Sequence, residues 1–210
     1  MCMSRDVETV APTTSLVEGI RRMNARRIRR LVVLQNHTIV GIVCHRDIVH
    51  SFPPHINPFS VVALDEAPAL GRVDAVMKSP VVTIENDQPI ESAAERMTEH
   101  HIGGLPVTHN HRLVGIITES DIFRTFSKLL SGHPGSTRIT FDLTADQNVL
   151  SSLVATTREL GLDLASVISF RDGDRRLAVA RVRGGPVNPL IESLWNSGHS
   201  VLNVLRCEAP

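Results

Sequence analysis

Gly115-Ile116-Ile117-Thr118-Glu119-Ser120-Asp121-Ile122 is the stretch whose reading decides the fold. Gly115 opens an apolar run that reads as a buried strand. Thr118, Ser120 and Asp121 then fall where the strand gives way to a helix. Ser, Thr and Asp at such a place routinely cap helices by accepting hydrogen bonds from first-turn N–H groups. Two hydroxyls beside a carboxylate also suit the paired hydroxyls of a ribose. The N–H groups of a helix start suit a polar or anionic ligand. From the stretch alone both roles stand.

An internal repeat supplies a second copy of it. Displacing the chain by 74 positions lays residues 3–48 on 77–122 without a gap. Fifteen of the 46 pairs are identical, among them Met3/Met77, Val7/Val81, Thr9/Thr83, Leu31/Leu105, Gly41/Gly115 and Asp47/Asp121. The matches fall on apolar strand positions, a glycine and a helix start, which predicts two tandem copies of one small fold.

Three motifs of the second copy are diagnostic. Val76-Met77-Lys78-Ser79-Pro80-Val81-Val82-Thr83 leads into it, Ile102-Gly103-Gly104-Leu105-Pro106-Val107 lies in its middle, and the stretch from Gly115 ends it. In this order, with a partner copy, they resemble a pair of CBS domains, a fold that comes in twos and senses adenosyl ligands. The resemblance covers about the first 130 residues. It implies two βαββα repeats. It also implies that Val81, Thr83, Gly104 and Pro106 line an adenine and that Thr118, Ser120 and Asp121 hold its ribose. An adenine nucleotide (AMP, ADP or ATP) or S-adenosylmethionine is then a regulatory ligand rather than a cofactor.

Arg21, Arg22, Arg26, Arg27, Arg29 and Arg30 form the densest charge cluster. The first four read as a solvated helix face. Arg29 and Arg30 lie just before a strand, where nucleotide-binding members of the family carry basic residues that reach phosphates. The resemblance makes them candidate phosphate ligands, a role that suits the guanidinium fork. The second copy has Gly103 and Gly104 at the equivalent places and supplies no such charge.

The first copy departs from the pattern at its own strand–helix junction, Gly41-Ile42-Val43-Cys44-His45-Arg46-Asp47. Asp47 remains a candidate ribose ligand, but Cys44 replaces the hydroxyl of Thr118 and Arg46 that of Ser120. A weaker or empty site is expected there. Cys44 beside His45 invites a nucleophile–base reading, but neighbours on a strand point to opposite faces and nothing nearby orients the histidine. The spacings of His100, His101, His109 and His111 do not match structural zinc patterns. No nucleophile–base–orienter set is found. A non-enzymatic protein is expected.

Composition agrees with that picture. Of 210 residues, 42% are hydrophobic and 21% charged, as in an ordinary globular chain. Aromatics are 3% with no Tyr, so Val, Leu and Ile must fill the cores. No run of about 18 apolar residues predicts a membrane span, and the first residues do not read as a secretory signal. Three widely spaced cysteines suggest free thiols and a cytoplasmic setting. The net charge is zero, with a basic excess confined to residues 1–48, which hold eight Arg and four acids. Bulk electrostatics gives no argument for a nucleic-acid partner.

Beyond residue 131 a different unit begins. Pro53, Pro54 and Pro58 mark a first linker at 53–72, in which Val61-Val62-Ala63-Leu64 is a short strand or a packed loop and a short helix leads from Leu70 to Met77. Residues 132–136 form a second linker. CBS repeats are thus placed at 1–52 and 73–131 and the last domain at 137–210. There Arg138–Leu143, Leu164–Phe170, Leu177–Val182 and Val201–Leu205 read as strands. A helix striped by Val149, Leu150, Leu153, Val154 and Leu160 stops at Gly161. A second, from Pro186 to Asn196, buries Leu190, Leu194 and Trp195. The order βαββαβ is the ferredoxin-like plan, so the fold class is α/β (α+β). This unit resembles an ACT domain, which often binds amino acids at a subunit interface. Its first loop, Asp146-Gln147-Asn148-Val149, keeps the Asp but lacks the Gly of the family pattern, which favours dimerisation over amino-acid binding. The whole arrangement resembles regulatory proteins of the acetoin-utilisation type. That resemblance implies a homodimer that senses an adenosyl small molecule and is read by an unidentified protein partner.

Overall fold

The computed structural model describes residues 3–53, 71–130, 135–144 and 148–206, with only the backbone at 129 and 130. The strand or loop at 61–64, the start of the helix expected from Leu70, and most of the linkers lie outside the described residues. Two compact units divide at Thr125/Phe126.

In the first unit, Ser15 opens helix α1 (Leu16–Arg26) by accepting the Glu18 N–H at 3.1 Å. Leu16, Ile20 and Met23 form its fully buried stripe. Arg27 ends the helix in the left-handed region. Strand β1 (Thr9–Val10) runs parallel to β2 (Arg30–Gln35), which pairs antiparallel with β3 (Thr38–Cys44). Asn36 and His37 join them with φ of 51° and 63°, the doubly positive geometry that matches strand twist in a two-residue hairpin. A five-residue helix α2 (His45–Val49) follows.

The second copy repeats this: β4 (Ile84–Glu85), α3 (Ile90–Glu99), β5 (Gly104–His109), β6 (Arg112–Thr118) and α4 (Glu119–Leu130). Asn110 and His111 turn with φ of 50° and 65°, and even the register shift after Val33 recurs after Val107. Pro89 is the N-cap of α3, whose buried face is Ala93 and Met97, with Ile90 and Ala94 partly buried. Val73–Ala75 is a single 3-10 turn instead of a longer helix.

The copies interlock. Ser4 exchanges backbone hydrogen bonds of 2.9 Å with Ile116 of β6, and Lys78 does so with Ile42 of β3 at 2.8 and 3.1 Å. The segment leading into each copy therefore lies against the third strand of the other. Met3 covers Gly115 and Met77 covers Gly41, so that a Cβ on either glycine would fall on the methionine sulfur. The repeated Met and Gly are the two halves of one reciprocal contact.

The second unit runs β7 (Thr137–Asp142), α5 (Val149–Glu159), β8 (Asp163–Asp172), β9 (Arg175–Arg183), α6 (Asn188–Asn196) and β10 (Val201–Arg206). The sheet order is β10-β7-β9-β8, all antiparallel. Ile139, Phe141, Ala178, Ala180 and Val182 pack on Leu153, Leu190 and Leu194 of the two helices. Trp195 is 57% exposed rather than buried, and Ile191 takes its place in the core. The strip α6 turns to the sheet is one residue wide of the tryptophan. Val154 and Leu160 are likewise outside the core of α5.

Candidate functional site

The corner between β6 and α4 is built around Asp121, which is 8% exposed. One carboxylate oxygen accepts the Thr118 N–H at 2.9 Å and the Thr118 hydroxyl at 2.6 Å. The other takes an ion pair from Arg124 at 3.1 Å. The aspartate thus satisfies backbone at the strand–helix junction and fixes the Thr118 rotamer. Ser120 stands exposed beside them.

This corner faces the start of the other copy. A first cleft of about 260 Å³ is lined by Thr118, Ser120, Asp121, Arg124 and Ile116 from the second copy, and by Ser4, Asp6, Val7, Glu8 and Arg27–Arg30 from the first. Its acids are largely answered. Asp6 pairs with Arg26 at 2.7 Å, and Glu8 with Arg26 at 3.3 Å and Arg22 at 3.5 Å. Among the described residues Arg27, Arg29 and Arg30 make no ion pair, so the cleft presents hydroxyls and a carboxylate at one end and free guanidinium groups at the other.

Across the pseudo-twofold relation lies a second cleft of about 380 Å³. It joins the β3–α2 corner (Ile42, Cys44, His45, Arg46) to Lys78, Pro80, Val81, Val82 and His101–Gly104, with Arg29, Arg30 and Glu119 between. Arg30 lies over Gly103 and Gly104, where side chains would collide with it. The glycines of the second copy make room for the arginine of the first.

A family model described as CBS domain matches residues 1–53 and 73–128, the two interlocked copies. The chain belongs to the CBS domain family. A CBS domain-containing protein of Dictyostelium discoideum is 33% identical over 134 residues, 63% of this chain and 92% of that one. A 33.4 kDa protein from a ribosomal RNA operon of Thermofilum pendens is 34% identical over 125 residues, 57% of this chain but only 40% of that one. A CBS domain pair solved in complex with 5′-methylthioadenosine and S-adenosyl-L-methionine superposes with a TM-score of 0.50 at 25% identity, over 60% of this chain and 93% of that one. A CBS-domain protein from Burkholderia ambifaria gives 0.51 at 25% identity, over 62% and 89%.

Within the CBS pair the residues singled out from sequence divide between clefts. Thr118, Ser120 and Asp121 line the first, Val81 and Gly104 the second, and Arg29 and Arg30 line both. The expected single site therefore separates into two, because each cleft takes its corner from one CBS copy and its leading segment from the other. Thr83 and Pro106 line neither of these clefts; the Thr83 carbonyl accepts from Arg96 at 2.8 Å, and Pro106 is buried in β5. Asp47 is turned to its own backbone, accepting the Cys44 N–H at 3.0 Å. Ser4, Asp6, Arg27 and Arg124 were not signalled by any motif.

The Cys44–His45 pair is set against nucleophilic chemistry. Burial and the Asp47 charge push the thiol up, the opposite of an activated cysteine. Burial and the Arg29 charge hold the His45 imidazole below its ordinary value. Among the described residues no group of three or more His, Cys, Asp or Glu is placed to hold a metal ion, and no helix is long and apolar enough to cross a membrane.

Proposed function

We propose that the chain is a non-enzymatic regulatory sensor that holds one adenosyl ligand in the first cleft. The observation that carries this is the meeting, in one concave site, of the Thr118–Ser120–Asp121 corner with Arg27, Arg29 and Arg30. Hydroxyls and a carboxylate suit a ribose; guanidinium groups suit phosphates. The solved CBS pair that carries 5′-methylthioadenosine and S-adenosyl-L-methionine supports an adenosyl ligand as the class. AMP, ADP, ATP and S-adenosylmethionine are the candidates.

The reading extends to the whole chain. CBS repeats at 1–52 and 73–131, joined by linkers at 53–72 and 132–136, are followed by an ACT-like domain at 137–210. The βαββαβ element order and the β10-β7-β9-β8 sheet support the ferredoxin-like plan of the last domain. The protein acts as a cytoplasmic homodimer, and a protein partner reads the change. A ligand shifts such an assembly only by binding its arrangements with different affinity. A purely structural, scaffolding role is favoured by a separate observation. The sheet face opposite the helices of the second unit leaves Phe170 and Leu205 about half exposed.

A thermal-shift screen with AMP, ADP, ATP, S-adenosylmethionine and methylthioadenosine tests the reading. A ligand at about a hundred times its dissociation constant stabilises the folded state by roughly 2.7 kcal/mol. A shift that disappears in Ser120→Ala/Thr118→Val supports the sensor. No shift with any of the five leaves the scaffold.

A further inference from the structure

The two copies differ at the N-terminal end of their first helix. In the first copy the segment 71–76 is laid across the start of α1. The Val73 and Asp74 N–H groups donate to the Thr14 and Pro12 carbonyls at 2.8 and 3.0 Å, and the Leu16 N–H donates to the Gly71 carbonyl at 3.1 Å. The Val73 side chain is fully buried there, beside Gly19. The 74-residue offset carries Pro12, Thr14, Leu16 and Gly19 onto Asn86, Gln88, Ile90 and Ala93. In the second copy these four, with Ile84 and Ile117, line an open pocket of about 330 Å³. Among the described residues no other backbone group answers the Asn86 and Gln88 carbonyls or the Ile90 N–H. The pocket keeps the apolar lining and the hydrogen-bonding groups that the first copy uses to hold a valine on a short turn.

Charge is added around it. Asp87 and Glu91 stand next to the lining residues in sequence, where the first copy has Thr13 and Val17. Both are exposed and, among the described residues, neither makes an ion pair. A cation beside the aliphatic side chain complements these acids, the order in which the first copy itself presents Arg72 and Val73. The pocket also lies behind the first cleft. Ile116 and Thr118 of β6 line that cleft, whereas Ile117 between them lines this pocket, because successive residues of a strand face opposite ways. A ligand in the cleft and an occupant of the pocket therefore touch the two faces of one strand.

We infer that this pocket docks a protein partner, which inserts a branched aliphatic residue preceded by a basic one on a short turn. The partner's backbone bonds to the Asn86 and Gln88 carbonyls and the Ile90 N–H, and its cation meets Asp87 and Glu91. The docking stands whatever occupies the first cleft. Its coupling to a ligand there, through Ile117, rests on the adenosyl reading proposed above.

The probe is a capped peptide copy of residues 71–78, Gly-Arg-Val-Asp-Ala-Val-Met-Lys. It is titrated into the full chain without nucleotide and followed by amide chemical shifts. Saturable shifts are expected at Asn86, Gln88, Ile90 and Ile117 and not at Thr14, Leu16 and Val43, whose place Val73 already fills. Replacing the valine of the peptide by alanine should weaken binding about tenfold, for two methyl groups no longer buried. Replacing its arginine by glutamate should weaken it about threefold, as for an exposed ion pair. Ala93→Leu fills the pocket and abolishes binding. Asp87→Lys/Glu91→Lys changes two exposed side chains, leaves the fold intact and reverses the preference, so that the glutamate peptide binds better than the arginine one. Absence of shifts at the four amides overturns the inference, as does binding indifferent to both Ala93→Leu and Asp87→Lys/Glu91→Lys. Binding seen only after removal of Met1 and Cys2 would make the chain's own leading residues the occupant and overturns it. Self-association of the chain that Ala93→Leu abolishes would make the occupant a second copy and overturns it too. With ADP bound the peptide affinity should change at least threefold, and that of ADP by the same factor. No change overturns the coupling through Ile117 and not the docking.

Discussion

The two strand–helix corners of the CBS pair, 41–47 and 115–121, share a backbone and differ in what they offer a ligand. Each has a glycine under the methionine of the other copy. Each has an aspartate that accepts the N–H three residues earlier, at 3.0 Å from Cys44 and 2.9 Å from Thr118. These residues are the same in both copies because the fold requires them. The positions between them have diverged: Thr118 and Ser120 in one corner, Cys44 and Arg46 in the other. A repeat therefore separates, within a single chain, the residues the fold needs from those free to diverge. The aspartate, which looks most like a binding residue in sequence, is shared and holds backbone in both corners.

Removing the shared arginines should give the largest effect on either cleft. Hydrogen bonds to charged groups contribute about 1.5–3 kcal/mol each. Arg29→Ala/Arg30→Ala is expected to weaken ADP on the order of a hundredfold in calorimetry while leaving the phosphate-free methylthioadenosine nearly unchanged. Equal loss of both would place the arginines away from phosphate.

The shared scaffold can be broken symmetrically. A Cβ at Gly41 or Gly115 must displace a methionine, and overpacking of this kind costs about 1–3 kcal/mol. Gly41→Ala and Gly115→Ala should lower the urea midpoint by similar amounts, and a much smaller loss at one of them would end the reciprocal account of the Met–Gly contacts.

The aspartates should agree in stability and differ in binding. Loss of a capping acceptor costs about 1 kcal/mol. Asp47→Ala and Asp121→Ala are both expected to lose this much by chemical denaturation, but only Asp121→Ala weakens an adenosyl ligand.

Asp142 supplies the structural role with no candidate ligand beside it. The Thr144 hydroxyl and N–H, together with Arg175, hold its carboxyl at about 2. Because the folded value lies below the unfolded one, its contribution is complete above about pH 4, the ordinary carboxylate range. It disappears as pH falls through 2. Asp142→Asn should be less stable than the unmodified protein at pH 6, with the gap much reduced at pH 2, where the folded carboxyl is half protonated, and closing below it. A difference as large at pH 2 as at pH 6 would mean that charge is not its cause.

Much of this architecture is legible in the sequence. The 74-residue offset gives the two copies, their hairpins at Asn36-His37 and Asn110-His111, and the buried stripe of Leu16, Ile20 and Met23. The sharing of sites is not legible. An alignment says that Val81 corresponds to Val7, and it cannot say that Val7 is the one beside Thr118. That exchange is a property of how the copies interlock, carried by the backbone bonds of Ser4 and Lys78, and no side-chain pattern announces it. Trp195 was misplaced for a related reason. Leu190/Leu194 and Ile191/Trp195 both recur at i, i+4, so the spacing alone does not reveal where the buried face ends.

The most direct test of the central claim is calorimetry of ADP and methylthioadenosine on the unmodified protein and on Ser120→Ala/Thr118→Val. Ser120 is exposed and neither substitution removes the Asp121 carboxylate, so the fold is preserved. One equivalent of adenosyl ligand per chain, weakened more than tenfold in the variant, is the result the account predicts. Equal affinity in the two proteins would contradict it.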